Sequence, residues 1–162
     1  MVEIHLTWGE LHMAAQIGVL RQLEAVRKGL PDRHGFDGDT GWTIHIEGAA
    51  GEIAAAKALG LYWGGTVNTF KTEGDVGNIE VRTRSKPHYD LLVRDNDKNE
   101  SVFVLVTGKS PKYNVVGWIL GKDAKKTEWY ADYGNRPPAY FVPQNCLRPI
   151  EELKNASSNL VS

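Results

Sequence analysis

A change of hydrophobic period near residue 60 constrains the fold more than any other feature of the chain. Before it, apolar residues recur at helical spacing: Leu11, Ala14, Ala15, Gly18, Val19, Leu23 and Val26 follow Thr7-Trp8-Gly9-Glu10, which has the form of a capping box. Gly29 and Pro31 end that helix, residues 32–41 (DRHGFDGDTG) read as a loop, and a second helix runs from Trp42 to Leu59 before Gly60 stops it. After it, short β-branched runs follow one another, IEVRTR, YDLLVRD, SVFVLVTG, NVVGWILG and PAYFVP, divided by polar turns. VEIHLT at the start reads as a short strand or an extended lead-in, and KDAKKTEWYADYG as a basic helical piece. RPIEELK reads as a final helical turn or two, before a tail at 155–162 expected to be disordered. Helices followed by mostly antiparallel strands indicate an α+β fold, with the N-terminal helix (8–28) packed on a core spanning 42–150.

The 162 residues fit one domain with a sizeable core, and 41% hydrophobic with 24% charged residues is an ordinary globular composition. No apolar run approaches the roughly 20 residues that span a bilayer, and MVEIHLTWGE has no signal-peptide core, so a cytoplasmic protein with no membrane contact is expected. Cys146 is the only cysteine, which excludes internal disulfides and cysteine-rich zinc sites. A net charge of −1 gives no global drive toward nucleic acid, so any such binding must use local patches.

The segment GDVGNIEVRTR (74–84) concentrates charge around a turn. Gly77-Asn78 is a two-residue turn signal, and TVNTFKTEGDV and IEVRTR on either side alternate and are β-branched, so a hairpin is expected. Its register sets Val76 against Ile79, Asp75 against Glu80 and Glu73 against Arg82. Glu80, Arg82 and Arg84 then share a face with Lys71, Glu73 and Asp75, while Ile79 and Val81 point the other way. Opposed carboxylates about 5 Å apart repel unless a cation lies between them, and a divalent metal is one such cation. A solvated charged face over an apolar one is the other reading.

The second helix, HIEGAAGEIAAAKALG, is full of small residues that permit close backbone packing around Glu52. On a helical wheel His45, Gly48 and Glu52 fall on one side, with Glu47 well round from it. Should the Gly/Ala surface lie on the sheet, Glu52 is within reach of the hairpin carboxylates.

A helix with G-x-x-x-E, a strand pair carrying D-x(4)-E-x-R and then strands of FVLV and VVGW character resemble, over residues 44–120, the PD-(D/E)XK nuclease superfamily. The resemblance implies a restriction-endonuclease-like central mixed sheet flanked by helices. It also implies a Mg²⁺- or Mn²⁺-dependent deoxyribonuclease, in which Asp75 and Glu80 ligate the metal together with the backbone carbonyl of Val81. Glu52 would hold a second metal or a metal-bound water. Carboxylates suit such hard cations, which polarise a phosphoryl oxygen and acidify water. The chain departs from the pattern at Arg82, which stands in the lysine position. Arginine stays protonated and cannot act as a base, but it can clamp a phosphate bidentately. Lys71 and Lys109 are alternative lysines.

DNA is the implied partner, with Arg84, Lys86, Lys71, Lys109, Lys122, Lys125 and Lys126 as phosphate contacts and Tyr62 and Trp63 as stacking residues; a homodimer is compatible with this reading. Two rivals remain: a non-catalytic descendant that binds nucleic acid or a protein, and a structural or inhibitory protein. Other motifs are weaker. VFVLV-TGKS lacks the phosphate-loop glycine, since Phe103 stands in its place, and Pro111 denies the helix that should follow. His5, His12, His34, His45 and His88 show no paired ligand spacing, Cys146 reads as a small core residue at a strand end, and Ser110 has no nucleophile elbow.

Overall fold

The computed structural model describes residues 1–29, 38–66, 76 and 78–160; the side chains of 38–40 and 157–160 lie outside that description. Helix α1 (Trp8–Arg27) starts on the expected capping box. Thr7 Oγ accepts the Glu10 N–H at 3.2 Å, and the Glu10 carboxylate accepts the Thr7 N–H at 3.0 Å. Helix α2 (Gly38–Leu59) begins four residues earlier than its sequence suggests. It ends in a Schellman-type cap, where Gly60 at φ 68° turns the chain and the Leu61 N–H bonds to the Ala56 carbonyl at 2.9 Å.

Strands β1 (Val2–His5), β2 (Ile79–Arg84), β4 (Val102–Lys109) and β5 (Lys112–Leu120) form a four-stranded mixed sheet in the order β1-β5-β4-β2. β1, β5 and β4 are antiparallel neighbours, whereas β2 runs parallel to β4 with Glu80 beside Phe103 and Arg82 beside Leu105. A second, antiparallel sheet has the order β3 (Leu91–Val93), β7 (Ala139–Val142), β6 (Tyr130–Ala131). The chain is therefore α+β.

Two cores lie on opposite faces of the first sheet. On one, Ile79, Val81, Val104, Val106, Tyr113 and Val115 meet the alanines of α2 and Ile150 and Leu153 of helix α4 (Ile150–Leu160). On the other, Phe103, Leu105 and Ile119 meet Leu91, Val93 and Val142 of the second sheet. A bulge at Val116 shifts the β4/β5 register between Leu105 and Val106, so Val115 and Trp118 point to the same face although three residues apart.

Three expectations are corrected. The sheet is not flanked by helices on both sides, because YDLLVRD and PAYFVP pair with each other and roof its second face. The basic piece after WILG breaks into a four-residue helix α3 (Gly121–Ala124), a 3₁₀ turn at Thr127–Trp129 and β6. The C-terminal helix runs to Leu160, well beyond the expected turn or two, because Ile150 and Leu153 anchor its first turn in the core. No helix among the described residues is long and apolar enough to cross a membrane.

Candidate active site

The two-residue turn is formed as expected: the Val76 and Ile79 N–H groups each bond to the other's carbonyl, at 3.1 and 3.0 Å. The pairs beyond it, Asp75 with Glu80 and Glu73 with Arg82, involve Lys71, Glu73 and Asp75, which lie outside the described residues. On the described side, β2 alternates as anticipated. Ile79 and Val81 are buried toward the helices, and Glu80, Arg82 and Arg84 share the face of Phe103 and Leu105.

Glu80 and Arg82 sit together on that face, with an Arg82 guanidinium nitrogen 3.6 Å from the Glu80 carboxylate. The other terminal nitrogen donates to Asp97 at 2.9 Å, and the guanidinium lies over the Phe103 ring, 5.1 Å from its centre. Asp97 was not legible as part of this site. It belongs to the turn between β3 and β4, where its carboxylate also accepts the Arg94 N–H at 2.8 Å. Burial raises the Glu80 carboxyl above its ordinary value; Arg82 and Lys98 pull against that shift, and Asp97 and Glu52 add to it. Lys98 is thus a lysine near Glu80 that spacing did not reveal. Lys109, by contrast, ends β4 six residues beyond the Glu80 level, about 20 Å along a parallel strand.

Glu52 is only 5% exposed and both its oxygens are engaged. Arg21 of α1 grips it with two hydrogen bonds of 2.6 and 3.0 Å, and the Trp63 indole N–H donates at 2.9 Å. Arg21 also donates to the Thr66 carbonyl, tying both helices to the chain that leads toward the hairpin. Arg21 falls on the core stripe of α1, three residues from Gly18 and seven from Ala14. A charge on an apolar stripe was the available signal that it must meet a buried acid.

Glu47, well round the helix from Glu52, meets the β4–β5 turn. Its carboxylate accepts from the Tyr113 hydroxyl at 2.5 Å and from Ser110 Oγ at 2.9 Å. Burial, then the bond to Glu47, pushes the Tyr113 hydroxyl well above its ordinary range, so it remains a donor. Ser110 and Tyr113 both donate to the Glu47 carboxylate, and the group fastens α2 to the β4–β5 turn.

Among the basic residues, Lys125 is turned inward, donating to the carbonyls of Asp95 at 2.9 Å and Asp97 at 2.5 Å. Lys126 stacks over Trp129, Arg84 and Lys86 both flank the Tyr89 ring, and Lys109 and Lys122 are exposed. Tyr62 is 88% exposed, and the Trp63 indole N–H is spent on Glu52. Two buried side-chain atoms of β2, Arg82 Nε and, on the opposite face, Thr83 Oγ, have no hydrogen-bond partner among the described residues.

Comparison with protein-family models, curated proteins and solved structures finds no match for the chain. The assignment of chemistry therefore rests on the residues alone. Among the described residues no three His, Cys, Asp or Glu side chains gather as a metal cage would require. Glu80 has the hard oxygen donors a divalent cation takes, whereas Glu52 would have to leave Arg21 and Trp63 to serve as a ligand.

Proposed function

We propose that the chain is a divalent-metal-dependent nuclease acting on DNA, with its site on the Glu80 edge of β2. The observation that carries this reading is geometric: Glu80 and Arg82 stand side by side on one face of β2, one residue beyond the Val76–Ile79 bridge, and in the sequence Asp75 precedes Val76 as Glu80 follows Ile79. Glu80 and Asp75 would hold Mg²⁺ or Mn²⁺, with the Val81 carbonyl as a further oxygen. When bound, such an ion supplies Lewis acidity to a phosphoryl oxygen and lowers the pKa of water.

The chain's own groups do the remainder. Glu80, partly withdrawn from water, gains more from a cation than an exposed carboxylate does. Arg82, held by Asp97 and Phe103, presents a fixed positive charge for a non-bridging phosphate oxygen. Lys98 is the candidate for the proton-handling lysine that Arg82 cannot replace. Glu52 serves as a positioning residue through Arg21 and Thr66.

Manganese titration by calorimetry, with plasmid and single-stranded DNA cleavage on the same samples, tests the reading. Wild type is expected to bind Mn²⁺ and cut, and Asp75→Ala/Glu80→Ala to do neither. A wild type that binds no metal would sink it. A second reading has its own observation: the 2.9 Å Arg82–Asp97 pair already gives this acidic cluster a resident cation, as a binding protein without catalysis would need. Nucleic-acid binding with no cutting in any divalent metal would favour that alternative.

A further inference from the structure

Arginines and aromatic rings recur together on the outer side of the second sheet. Leu92 and Phe141 pair across β3 and β7 with their side chains away from the inter-sheet core. Tyr133 stands edge-on against Phe141 with ring centres 5.3 Å apart and remains 70% exposed, so one face of its ring is open. These residues, with Arg94, Arg136 and Pro137, line a small groove. Arg84 extends the basic character past the groove. It rests on the Tyr89 ring at 4.7 Å and donates to the Asp90 carbonyl at 3.1 Å. Burial weakens the hold of Arg84 on its proton, and the like charge of Arg136 nearby adds to the effect, only partly offset by Tyr89 and Asp90. Asp132, beside Tyr133, turns its carboxylate to the Gly134 N–H at 2.9 Å.

We infer that this groove, lined by Arg94, Arg136, Tyr133 and Phe141, is a binding track for single-stranded nucleic acid. Guanidiniums favour phosphate oxygens, and an exposed aromatic ring takes an unpaired base, whatever its identity. A duplex would offer the phosphates but keep its bases stacked away from Tyr133, so the aromatic half of the groove selects single strands. The inference extends the function proposed above by naming strandedness, and it rests on that reading only for the choice of DNA as ligand. It requires neither metal nor Glu80.

Fluorescence anisotropy with a labelled oligothymidine in EDTA, titrated with the intact protein, tests it. Wild type is expected to bind the oligothymidine more tightly than a duplex of equal length, with affinity falling as salt rises. Tyr133→Ala and Arg136→Ala, both at exposed positions, are each expected to weaken binding about tenfold. Because the assay contains EDTA and reads binding alone, oligothymidine binding that depends on Tyr133 and Arg136 in a protein that cuts no DNA with Mn²⁺ would mean failure of the nuclease reading and not of the groove. Duplex preference, equal displacement by heparin and oligothymidine, unchanged affinity in both groove variants, or no binding at all would overturn the inference.

Discussion

Glu52 and Glu80 are both acids withdrawn from water, Glu52 almost wholly and Glu80 in part, and their surroundings assign them opposite roles. Glu52 is fully committed to Arg21 and Trp63. Removing one member of a buried ion pair leaves the other charge uncompensated, so Glu52→Ala is expected to lower stability by about 3–5 kcal/mol. Replacing both partners, as Glu52→Leu with Arg21→Met, should recover much of that loss. Urea unfolding of the three variants checks this, and a loss below about 1 kcal/mol in the single variant would refute a structural role. Glu80 shows the reverse. Its carboxyl is raised above the ordinary value, so the neutral form is favoured by folding. The stability it contributes is present below the ordinary carboxylate pKa and lost as pH rises through the higher folded value. Glu80→Gln is thus expected to melt above wild type near pH 8, the gap closing near pH 4. A lower melting temperature for the variant at pH 8 would show that the Arg82 contact outweighs desolvation. The sequence marked both acids as candidates, but it could not tell which has a guanidinium across a helix interface, because Arg21 and Asp97 are 31 and 15 residues away from their partners.

At the scale of elements, the small residues of α1 and α2 decide how the helices sit. A Cβ at Gly18 would come within 2.5 Å of the Ile46 backbone, and one at Gly51 would collide with Thr83 of β2. Backbone cannot yield as a flexible side chain does, so Gly18→Ala is expected to push the helices apart at about 1–3 kcal/mol, although alanine is the better helix former. Equilibrium unfolding checks the sign, and a stabilised variant would mean that α1 and α2 can slide without loss. The Gly/Ala content of α2 signalled close packing correctly, as did the capping box of α1 and the Gly60 stop. The strand runs were equally readable. Their partners were not, because nothing local in IEVRTR marks it as a parallel neighbour of β4.

For the whole molecule, the two cores share β4 and β5, with Val104 and Val106 on one face and Phe103 and Leu105 on the other. Losing packing on either face therefore loosens the sheet that supports both. Phe103→Ala is expected to cost about 3–5 kcal/mol and to leave a single unfolding transition, with tryptophan fluorescence and far-ultraviolet circular dichroism coinciding. Two separated transitions would mean that the second sheet is an independent unit. The amino-acid order alone determined the helices, the positions of most strands and the turn at Gly77-Asn78, since these depend on period, caps and turn chemistry within a few residues. It also marked Glu80 and Arg82 as neighbours on one face, because strand alternation is local. The tertiary structure alone decided that YDLLVRD and PAYFVP form a second sheet, that Arg21 claims Glu52, that Lys125 turns inward and that Asp97 pairs with Arg82 beside Glu80. Each of those outcomes is a contact between segments distant in sequence, and the choice among such contacts is made by burial and charge compensation across the assembled layers.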